Sequence, residues 1–304
     1  MSSTIDLQFQ GHGNVIATAV IPVGGGVVLV DPGPTSCLPA LERGLAGLNH
    51  SLADVRGLLL THIHLDHAGA AGTIARRVSG LPVYVHEIGA RHLASPEKLL
   101  ASATRLYGDA MDRLWGEFLA VPGPSLRPLA GGESLAIGGR RFEVAYTPGH
   151  AVHHVSYFDV ADGTAYVGDT AGIRVTPGYV LPATPPPDID LERWEASLRA
   201  IEAWQPRQLY LTHFGPGDAP AEHLAHYRAS LARSAAVVRT SLADDGDDEA
   251  RIAAWVAWLR ADVRRRLPEA AAAAMESAAP FRQLWLGLAR YWRKRDAGGG
   301  AAQG

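Results

Sequence analysis

Four side chains of types that commonly bind metal ions lie within six residues in the segment Thr61–Ala70. They are His62, His64, Asp66 and His67. The apolar run Val55–Leu60 precedes them and is typical of a buried strand. A strand that leads directly into a loop dense in ligands holds the backbone and directs several side chains at one place. The segment therefore predicts a metal site, whose histidine and carboxylate ligands suit zinc, iron or manganese.

Three more residues that can bind metals close apolar runs later in the chain. They are His150, which ends the segment Tyr146–His150, Asp169, which follows Val167-Gly168, and His213, which follows Leu211-Thr212. A single scattered histidine is usually a surface or core residue. Four strand ends that each close on histidine or aspartate are a much rarer accident, so we expect all of them to contribute to one site.

The composition of the chain limits the classes of protein to which it can belong. Its 304 residues are enough for one large domain or two ordinary ones, and a hydrophobic content of 47% argues against disorder. The net charge of −3 disfavours a nucleic-acid partner. The single cysteine, Cys37, excludes an internal disulfide and a thiolate metal cluster, which fits a reducing cytoplasm.

The beginning of the sequence, residues 1–9, has neither the basic nor the apolar region of a signal peptide. No apolar run approaches the roughly 18 residues that a membrane helix needs. We therefore expect a cytoplasmic protein without a membrane partner.

Strands and helices alternate twice along the first two thirds of the sequence. The predicted strands are Thr4–Phe9, Val15–Val23, Val27–Asp31, Val55–Leu60, Leu81–Val85, Glu133–Ile137, Arg141–Thr147, His154–Phe158, Thr164–Gly168 and Gln208–Thr212. The predicted helices are Leu38–Leu48, Ala68–Ser79, Pro96–Leu119 and Asp188–Trp204. This rhythm predicts an α/β fold of the αββα sandwich class, in which two stacked sheets lie between helices.

The sequence changes character after about Asp218, where amphipathic helices follow one another. They are predicted at Ala219–Thr240, Asp247–Leu267 and Pro280–Arg295. The sequence thus predicts a metal-hydrolase domain at 1–218, a C-terminal helical extension at 219–296 and a disordered tail at 297–304. Because the extension is rich in tryptophan, we expect it to cover the sandwich and also to offer a homodimer surface.

The motifs together resemble those of the metallo-β-lactamase fold superfamily over roughly residues 5–215. The seven matching positions occur in the family's order and without a departure: His62, His64, Asp66, His67, His150, Asp169 and His213. The forms Thr147-Pro-Gly-His150 and Gly168-Asp-Thr170 are similar to those of glyoxalase II-like and lactonase-like hydrolases. Val30-Asp31-Pro-Gly33 resembles an early family motif that supports the site without binding metal.

The resemblance implies a site for two divalent metal ions. Zinc is the preferred metal, and iron and manganese are the alternatives. It assigns His62, His64 and His150 to one ion. It assigns Asp66, His67 and His213 to the other, with Asp169 bridging both. A hydroxide held between the ions would attack the carbonyl of a small ester, thioester or lactone. Asp66, Asp169 and His154 are the residues to which this mechanism gives a catalytic part.

Two neighbouring histidines receive different predictions. The resemblance places His154 behind the ligands, where it would hydrogen-bond one of them and orient it. If residues 150–158 are extended, His153 faces the opposite side and is structural. Arg174 and Tyr179, in the proline-rich segment after Asp169, are candidates for contact with a small-molecule acyl substrate, with loop packing as the equal alternative. No basic cluster matches a glutathione site.

Four alternative functions follow from the same residues. A persulfide dioxygenase of the superfamily would use a single iron, against which the complete set Asp66, His67 and His213 argues. A β-lactamase would normally carry a secretion signal, and a nuclease would normally carry a basic arm. A binding protein that retained the fold without activity would not need all seven ligands.

Overall fold

The computed structural model describes residues 2–243 and 246–300. Two six-stranded mixed sheets form the centre of the fold. The first sheet contains, in spatial order, β1 (Ser3–Asp6), β2 (Ala17–Val23), β3 (Gly26–Val30), β4 (Val55–Leu59), β5 (Val83–His86) and β6 (Leu126–Leu129). The second sheet contains β12 (Gly215–Gly217), β11 (Gln208–Leu211), β10 (Thr164–Tyr166), β9 (Val155–Asp159), β8 (Arg140–Tyr146) and β7 (Ser134–Ile137).

Alternation along the strands creates two apolar layers. On β3, Val28 and Val30 face the second sheet, whereas Val27 and Leu29 face the helices. Side chains in a strand point alternately to opposite faces, so an uninterrupted run of valine and leucine buries both. Phe142 and Tyr157 of the second sheet fill the space between the sheets. These contacts confirm the predicted αββα sandwich.

Helices cover the outer faces of both sheets and continue beyond them. They are α1 (Leu38–Gly47), α2 (Leu65–Ala68), α3 (Ala71–Arg77), α4 (Glu87–Ala94), α5 (Glu97–Tyr107), α6 (Met111–Trp115), α7 (Leu191–Ala203), α8 (Pro220–Ser241), α9 (Asp248–Arg266), α10 (Glu269–Ala278) and α11 (Phe281–Gly300). No helix among the described residues is long and apolar enough to cross a membrane.

Several elements differ from the sequence prediction for identifiable reasons. The helix predicted at Pro96–Leu119 is interrupted at Gly108, which has a φ of 51° and separates α5 from α6. The unpredicted strands β6 and β12 contain Pro128 and Pro216, and each lies at the edge of its sheet. Proline cannot donate a ladder hydrogen bond, so an edge is where such a strand fits. The alanine-rich helix α10 and the short helix α4 were also unpredicted.

The tryptophans of the C-terminal helices are buried largely within the chain itself. Trp255 is 3% exposed, Trp285 is fully buried and Trp292 is 9% exposed. Trp258 is only partly buried and packs against the same core. The expected covering role therefore accounts for most of this apolar area, and the homodimer surface stays a prediction. Of the tail predicted to be disordered at 297–304, residues 297–300 belong to α11, and residues 301–304 lie outside the described residues.

The helix α11 rests on the loop that leads to one predicted metal ligand. Thr184 Oγ1 donates a hydrogen bond to the carbonyl of Leu284, at 3.0 Å. One turn further along α11, a Cβ atom at Gly287 would lie 2.1 Å from the carbonyl oxygen of Thr184. The neighbouring carbonyl of Ala183 accepts a hydrogen bond from His150 Nδ1, at 2.7 Å. Only glycine at position 287 permits this close approach.

We predict that Gly287→Ala lowers the free energy of unfolding by about 1–3 kcal/mol, the usual cost of forcing extra atoms into a packed interface. Urea denaturation measures the effect. Gly47→Ala is the matched control, because Gly47 also lies in a helix and its added Cβ meets nothing within 4 Å. Equal stability of the two variants would contradict the close approach at Gly287.

Candidate metal centre

The loop after β4 carries the first four predicted ligands into the interior. Leu60 and Thr61 continue the buried strand, and His64 then precedes the short helix α2. His62 and His67 are fully buried, whereas the side chain of Asp66 is 20% exposed. A buried strand and a helical turn together hold this loop, so its side chains are directed at one point rather than at solvent.

Three histidine nitrogens meet at the first predicted metal position. His62 Nε2 lies 2.9 Å from His64 Nδ1, and His150 Nε2 lies 3.2 Å and 2.9 Å from those two atoms. Ligand nitrogens around a tetrahedral zinc ion, each about 2.0–2.1 Å from the metal, are roughly 3.3–3.4 Å apart. The three imidazoles therefore stand close to the separation that one such ion requires.

Two carboxylates and two imidazoles meet at the second predicted position. Asp66 Oδ2 lies 3.3 Å from His213 Nε2 and 3.7 Å from His67 Nε2. The same two nitrogens lie 3.6 Å and 3.4 Å from Asp169 Oδ1. Asp66, His67 and His213 thus form a cluster of mixed charge beside the three histidines.

The carboxylate of Asp169 stands between the two clusters. Its Oδ1 faces His67 and His213, and its Oδ2 lies 3.5 Å from His150 Nε2. The tertiary structure thus brings all seven predicted ligands together. Their assignment to individual ions stays a prediction.

Hydrogen bonds on the far side of the rings orient several of the histidines. His150 Nδ1 donates to the carbonyl of Ala183 at 2.7 Å, and His213 Nδ1 donates to the carbonyl of Val15 at 2.6 Å. His67 Nδ1 donates to the carboxylate of Asp31 at 2.8 Å. A proton held at Nδ1 leaves the Nε2 lone pair free for a metal ion, which is the usual arrangement around metal-binding histidines.

Asp31 links three of the loops that form the centre. Its carboxylate accepts hydrogen bonds from Thr61 N at 2.8 Å, Thr61 Oγ1 at 2.7 Å and Thr212 Oγ1 at 2.7 Å, in addition to that from His67. Asp31 is fully buried. It lies at the end of β3, while its partners follow β4 and β11, so one side chain ties together three strand ends from both sheets.

Burial and opposite charge shift the titration of these groups in different directions. Burial lowers the pKa of His64 to about 3 and the pKa of His62 well below its usual value. Burial alone would raise the pKa of Asp66, but His67 and His213 bring it down to about 2. Burial opposes protonation of His67 as well, yet the carboxylates of Asp66, Asp169 and Asp31 raise its pKa well above the usual value.

The charges of the site and its buried ligand atoms without hydrogen-bond partners fit divalent cations. His67 Nε2, His213 Nε2 and Asp169 Oδ1 are buried and have no hydrogen-bond partner among the described residues. Such atoms are rare in folded proteins and call for an explanation. The buried carboxylates of Asp31 and Asp169 and the partly buried carboxylate of Asp66 also require compensating positive charge. Metal ions would satisfy both requirements, and the histidine and carboxylate donors suit zinc, iron and manganese.

His154 lies behind the ligands and faces away from the cavity. Its Nδ1 pairs with Thr147 Oγ1 at 2.9 Å and with Thr170 Oγ1 at 3.1 Å, and its ring stacks on that of His62 with centroids 5.0 Å apart. It supports His62 by ring contact rather than by the hydrogen bond to a ligand that the sequence predicted. A catalytic role for His154 stays a prediction. In this position, its side chain could act only by orienting His62.

The structure corrects the prediction for His153. Strand β9 begins only at Val155, so residues 151–154 form a turn in which strand alternation does not apply. His153 lines the cavity beside the centre, and its ring centroid is 5.6 Å from that of His64. It is 7% exposed, and its Nδ1 has no hydrogen-bond partner among the described residues. The order of residues gave no signal for this placement.

A cavity of about 420 Å³ opens at the two clusters, with His64, Asp66 and Asp169 in its wall. The two substrate-contact candidates lie elsewhere. Tyr179 is 8% exposed and its hydroxyl donates to Asp262 on α9, whereas Arg174 donates to the carbonyl of Pro216. For both residues, the structure supports the alternative of loop packing.

Comparison with known proteins agrees with this geometry. A family model described as the metallo-beta-lactamase superfamily matches residues 12–213. The chain therefore belongs to the metallo-beta-lactamase superfamily, and its histidine and aspartate clusters are consistent with a metal-dependent hydrolase.

Two curated relatives share part of the sequence. A metallo-beta-lactamase fold-containing protein of Sulfurisphaera tokodaii is 32% identical over 179 residues, which are 56% of this chain and 67% of that protein. A hydroxyacylglutathione hydrolase of Xylella fastidiosa is 30% identical over 157 residues, which are 52% of this chain and 45% of that enzyme. The match thus spans less than half the length of the hydrolase.

Two solved structures share the fold over nearly the whole chain. An archaeal metallo-beta-lactamase superfamily protein from Sulfolobus tokodaii superposes with a TM-score of 0.65 at 21% identity and covers 94% of this chain and 97% of its own. A metallo-beta-lactamase family protein from Thermus thermophilus gives a TM-score of 0.65 at 24% identity and covers 93% and 89%. At such identities the likeness concerns the fold alone.

We predict that Asp169→Asn lowers the number of metal ions bound per chain, because an amide cannot supply two anionic oxygens to the two clusters. Elemental analysis of the purified protein measures this number. Asp188→Asn is the matched control, since Asp188 lines the same cavity and belongs to neither cluster. Unchanged metal content in Asp169→Asn would contradict the bridging assignment.

We also predict that Asp31→Asn destabilises the fold by about 3 kcal/mol, because an amide leaves some of the buried donors around it unpaired. Urea denaturation provides the measurement. Asp6→Asn serves as the comparison, since the Asp6 carboxylate accepts its two backbone hydrogen bonds at the surface. The prediction fails if the two variants lose equal stability.

Proposed function

We propose that the protein is a hydrolase that uses two divalent metal ions, zinc first, to cleave a small ester, thioester or lactone. The observation that carries the proposal is the position of Asp169. Its two oxygens face different ligand clusters at one end of the cavity of about 420 Å³. A volume of that size is typical of small-molecule sites.

The donor sets supply the reason for assigning hydrolysis. The three neutral imidazoles of His62, His64 and His150 would leave a bound divalent ion strongly acidic, and such an ion would activate water and polarise a carbonyl group. Hydrolysis then needs no serine or cysteine nucleophile. The buried Cys37 is not among the residues that line the cavity, and burial raises the pKa of its thiol to about 11.

The protein's own residues would hold the reactants in place. Asp66 is the more exposed of the two cluster carboxylates, at 20% against 6% for Asp169, and it faces the cavity. Its pKa of about 2 keeps it ionised, so it can help to hold a divalent ion and accept a hydrogen bond from a water molecule beside the acyl carbon. Ile63 and Leu65 line the cavity next to the clusters and add apolar surface there.

The relatives support the reaction class more than they support a substrate. A hydroxyacylglutathione hydrolase is among the proteins that match about half of this chain. The wall of the cavity contains a single lysine or arginine among the described residues, Lys98. A glutathione thioester carries two carboxylates, so this wall offers it little charge compensation. The proposed substrate is therefore not a glutathione thioester.

A mononuclear iron dioxygenase is the alternative that the same ligands permit. A single iron ion would occupy only one of the two ligand clusters. The complete second cluster of Asp66, His67 and His213 supports two ions over one. Oxygen consumption by an iron-loaded protein would favour this alternative.

The test is a screen of thioesters, lactones, carboxylic esters and phosphoesters with protein of measured metal content. We expect two ions per chain and turnover of one or more of the acyl classes. Asp66→Asn should reduce kcat at least tenfold, while Asp188→Asn should retain turnover. Phosphoester cleavage alone, or no acyl turnover with both ions bound, would contradict the proposed reaction.

A further inference from the structure

Much of the wall of the cavity is apolar away from the metal centre. Helix α5 contributes Leu99, Ala103 and Leu106, and helix α11 contributes Leu284. The loop 185–187 adds three consecutive prolines. These elements form a surface that can bury hydrocarbon but offers few hydrogen bonds.

Polar residues, among them Lys98, Ser102 and Asp188, also line the cavity, and one pair of them is hydrogen-bonded. The hydroxyl of Tyr107 donates to Gln283 Oε1 at 3.3 Å, which joins α5 to α11. Next to the ligands, His153 Nδ1 is buried without a partner among the described residues. A buried polar atom of this kind gains most from a ligand that hydrogen-bonds to it. The cavity thus combines the polar metal clusters with a wall of which leucine, alanine and proline side chains form a large part.

Leu106 is unusual because it is exposed and still part of this wall. It is 36% exposed, and Val160, at 38%, is the other large apolar side chain of comparable exposure among the described residues. Leu106 borders the cavity, whereas Val160 follows β9 and does not line it. An apolar side chain at a cavity rim extends the surface available to a hydrocarbon ligand.

We propose that the substrate carries an uncharged, medium-length hydrocarbon acyl chain, which lies against α5 and α11 while His153 hydrogen-bonds its polar end beside the metal centre. This inference rests on the proposed hydrolase function and specifies its substrate class. The C-terminal helices, through Leu284 and Gln283, then take part in selecting the substrate as well as covering the sandwich.

The test uses p-nitrophenyl esters with acyl chains from acetyl to decanoyl, so that only the acyl arm changes. We expect kcat/KM to rise about fourfold for each added methylene, the gain from burying one such group, until the cavity is full. Leu106→Asp should flatten this rise, and Val160→Asp should leave it unchanged. Ser102→Trp, which narrows the wall between Leu99 and Leu106, should move the best chain to a shorter one.

A binding measurement provides a readout independent of turnover. By calorimetry, 1-octanol should bind the wild-type chain at least tenfold more tightly than 1-butanol, and Leu106→Asp should reduce that ratio. His153→Phe should raise KM for the preferred ester while the metal content remains that of the wild type.

The outcomes separate this inference from the function on which it rests. Turnover of the acetyl ester with no gain from longer chains would overturn the acyl-chain inference alone. The absence of turnover with every ester, thioester and lactone would overturn the proposed function and this inference with it. A glutathione thioester turned over faster than any uncharged ester would also overturn the inference.

Discussion

The organisation of the metal centre depends on the buried carboxylate of Asp31. The loops that carry the ligands leave different strands of two sheets, and no backbone hydrogen bond of a single sheet can align them all. Asp31 accepts from Thr61, Thr212 and His67 and so connects the ends of β3, β4 and β11. A buried anion is costly unless it is fully paired. Because the Asp31 carboxylate must be paired in this way, the positions of Thr61, Thr212 and His67 relative to it are well determined.

A second set of contacts connects the C-terminal helices to the centre. His150 is held by the carbonyl of Ala183, and the next residue, Thr184, contacts Leu284 and Gly287 of α11. A movement of α11 would therefore shift Thr184 and the adjacent Ala183, and through Ala183 it would shift the predicted ligand His150. The helical extension is part of the site's framework, because it holds the loop that orients His150 and also lines the cavity.

Electrostatics and packing divide the cavity into two parts with different chemistry. At one end, Asp66 and Asp169 face histidines across distances of 3.3–3.7 Å. At the other end, α5 and α11 present leucine and alanine. In the proposed function, the charged groups would hold the metal ions, and the apolar surface would contribute affinity roughly in proportion to the area that it buries.

The sequence by itself determined the sandwich class and the seven candidate ligands, because both depend on local patterns. Alternating apolar residues specify strands, and each ligand follows an apolar run or stands in a short motif such as His62–His67. The edge strands β6 and β12 escaped prediction because proline and glycine weaken the strand pattern, and only pairing with a neighbouring strand stabilises them there.

Tertiary structure alone decided which side chains line the cavity beside the ligands. His153 faces the cavity and His154 faces away because residues 151–154 form a turn, and the direction of a side chain in a turn depends on the packing around it. Arg174 and Tyr179 follow Asp169 closely in sequence, yet their partners Pro216 and Asp262 draw them to other surfaces. The apolar wall combines α5 with α11, which are more than 170 residues apart in sequence. Contacts over such separations leave no periodic signal, so the order of residues predicts the metal ligands but not the shape of the cavity beside them.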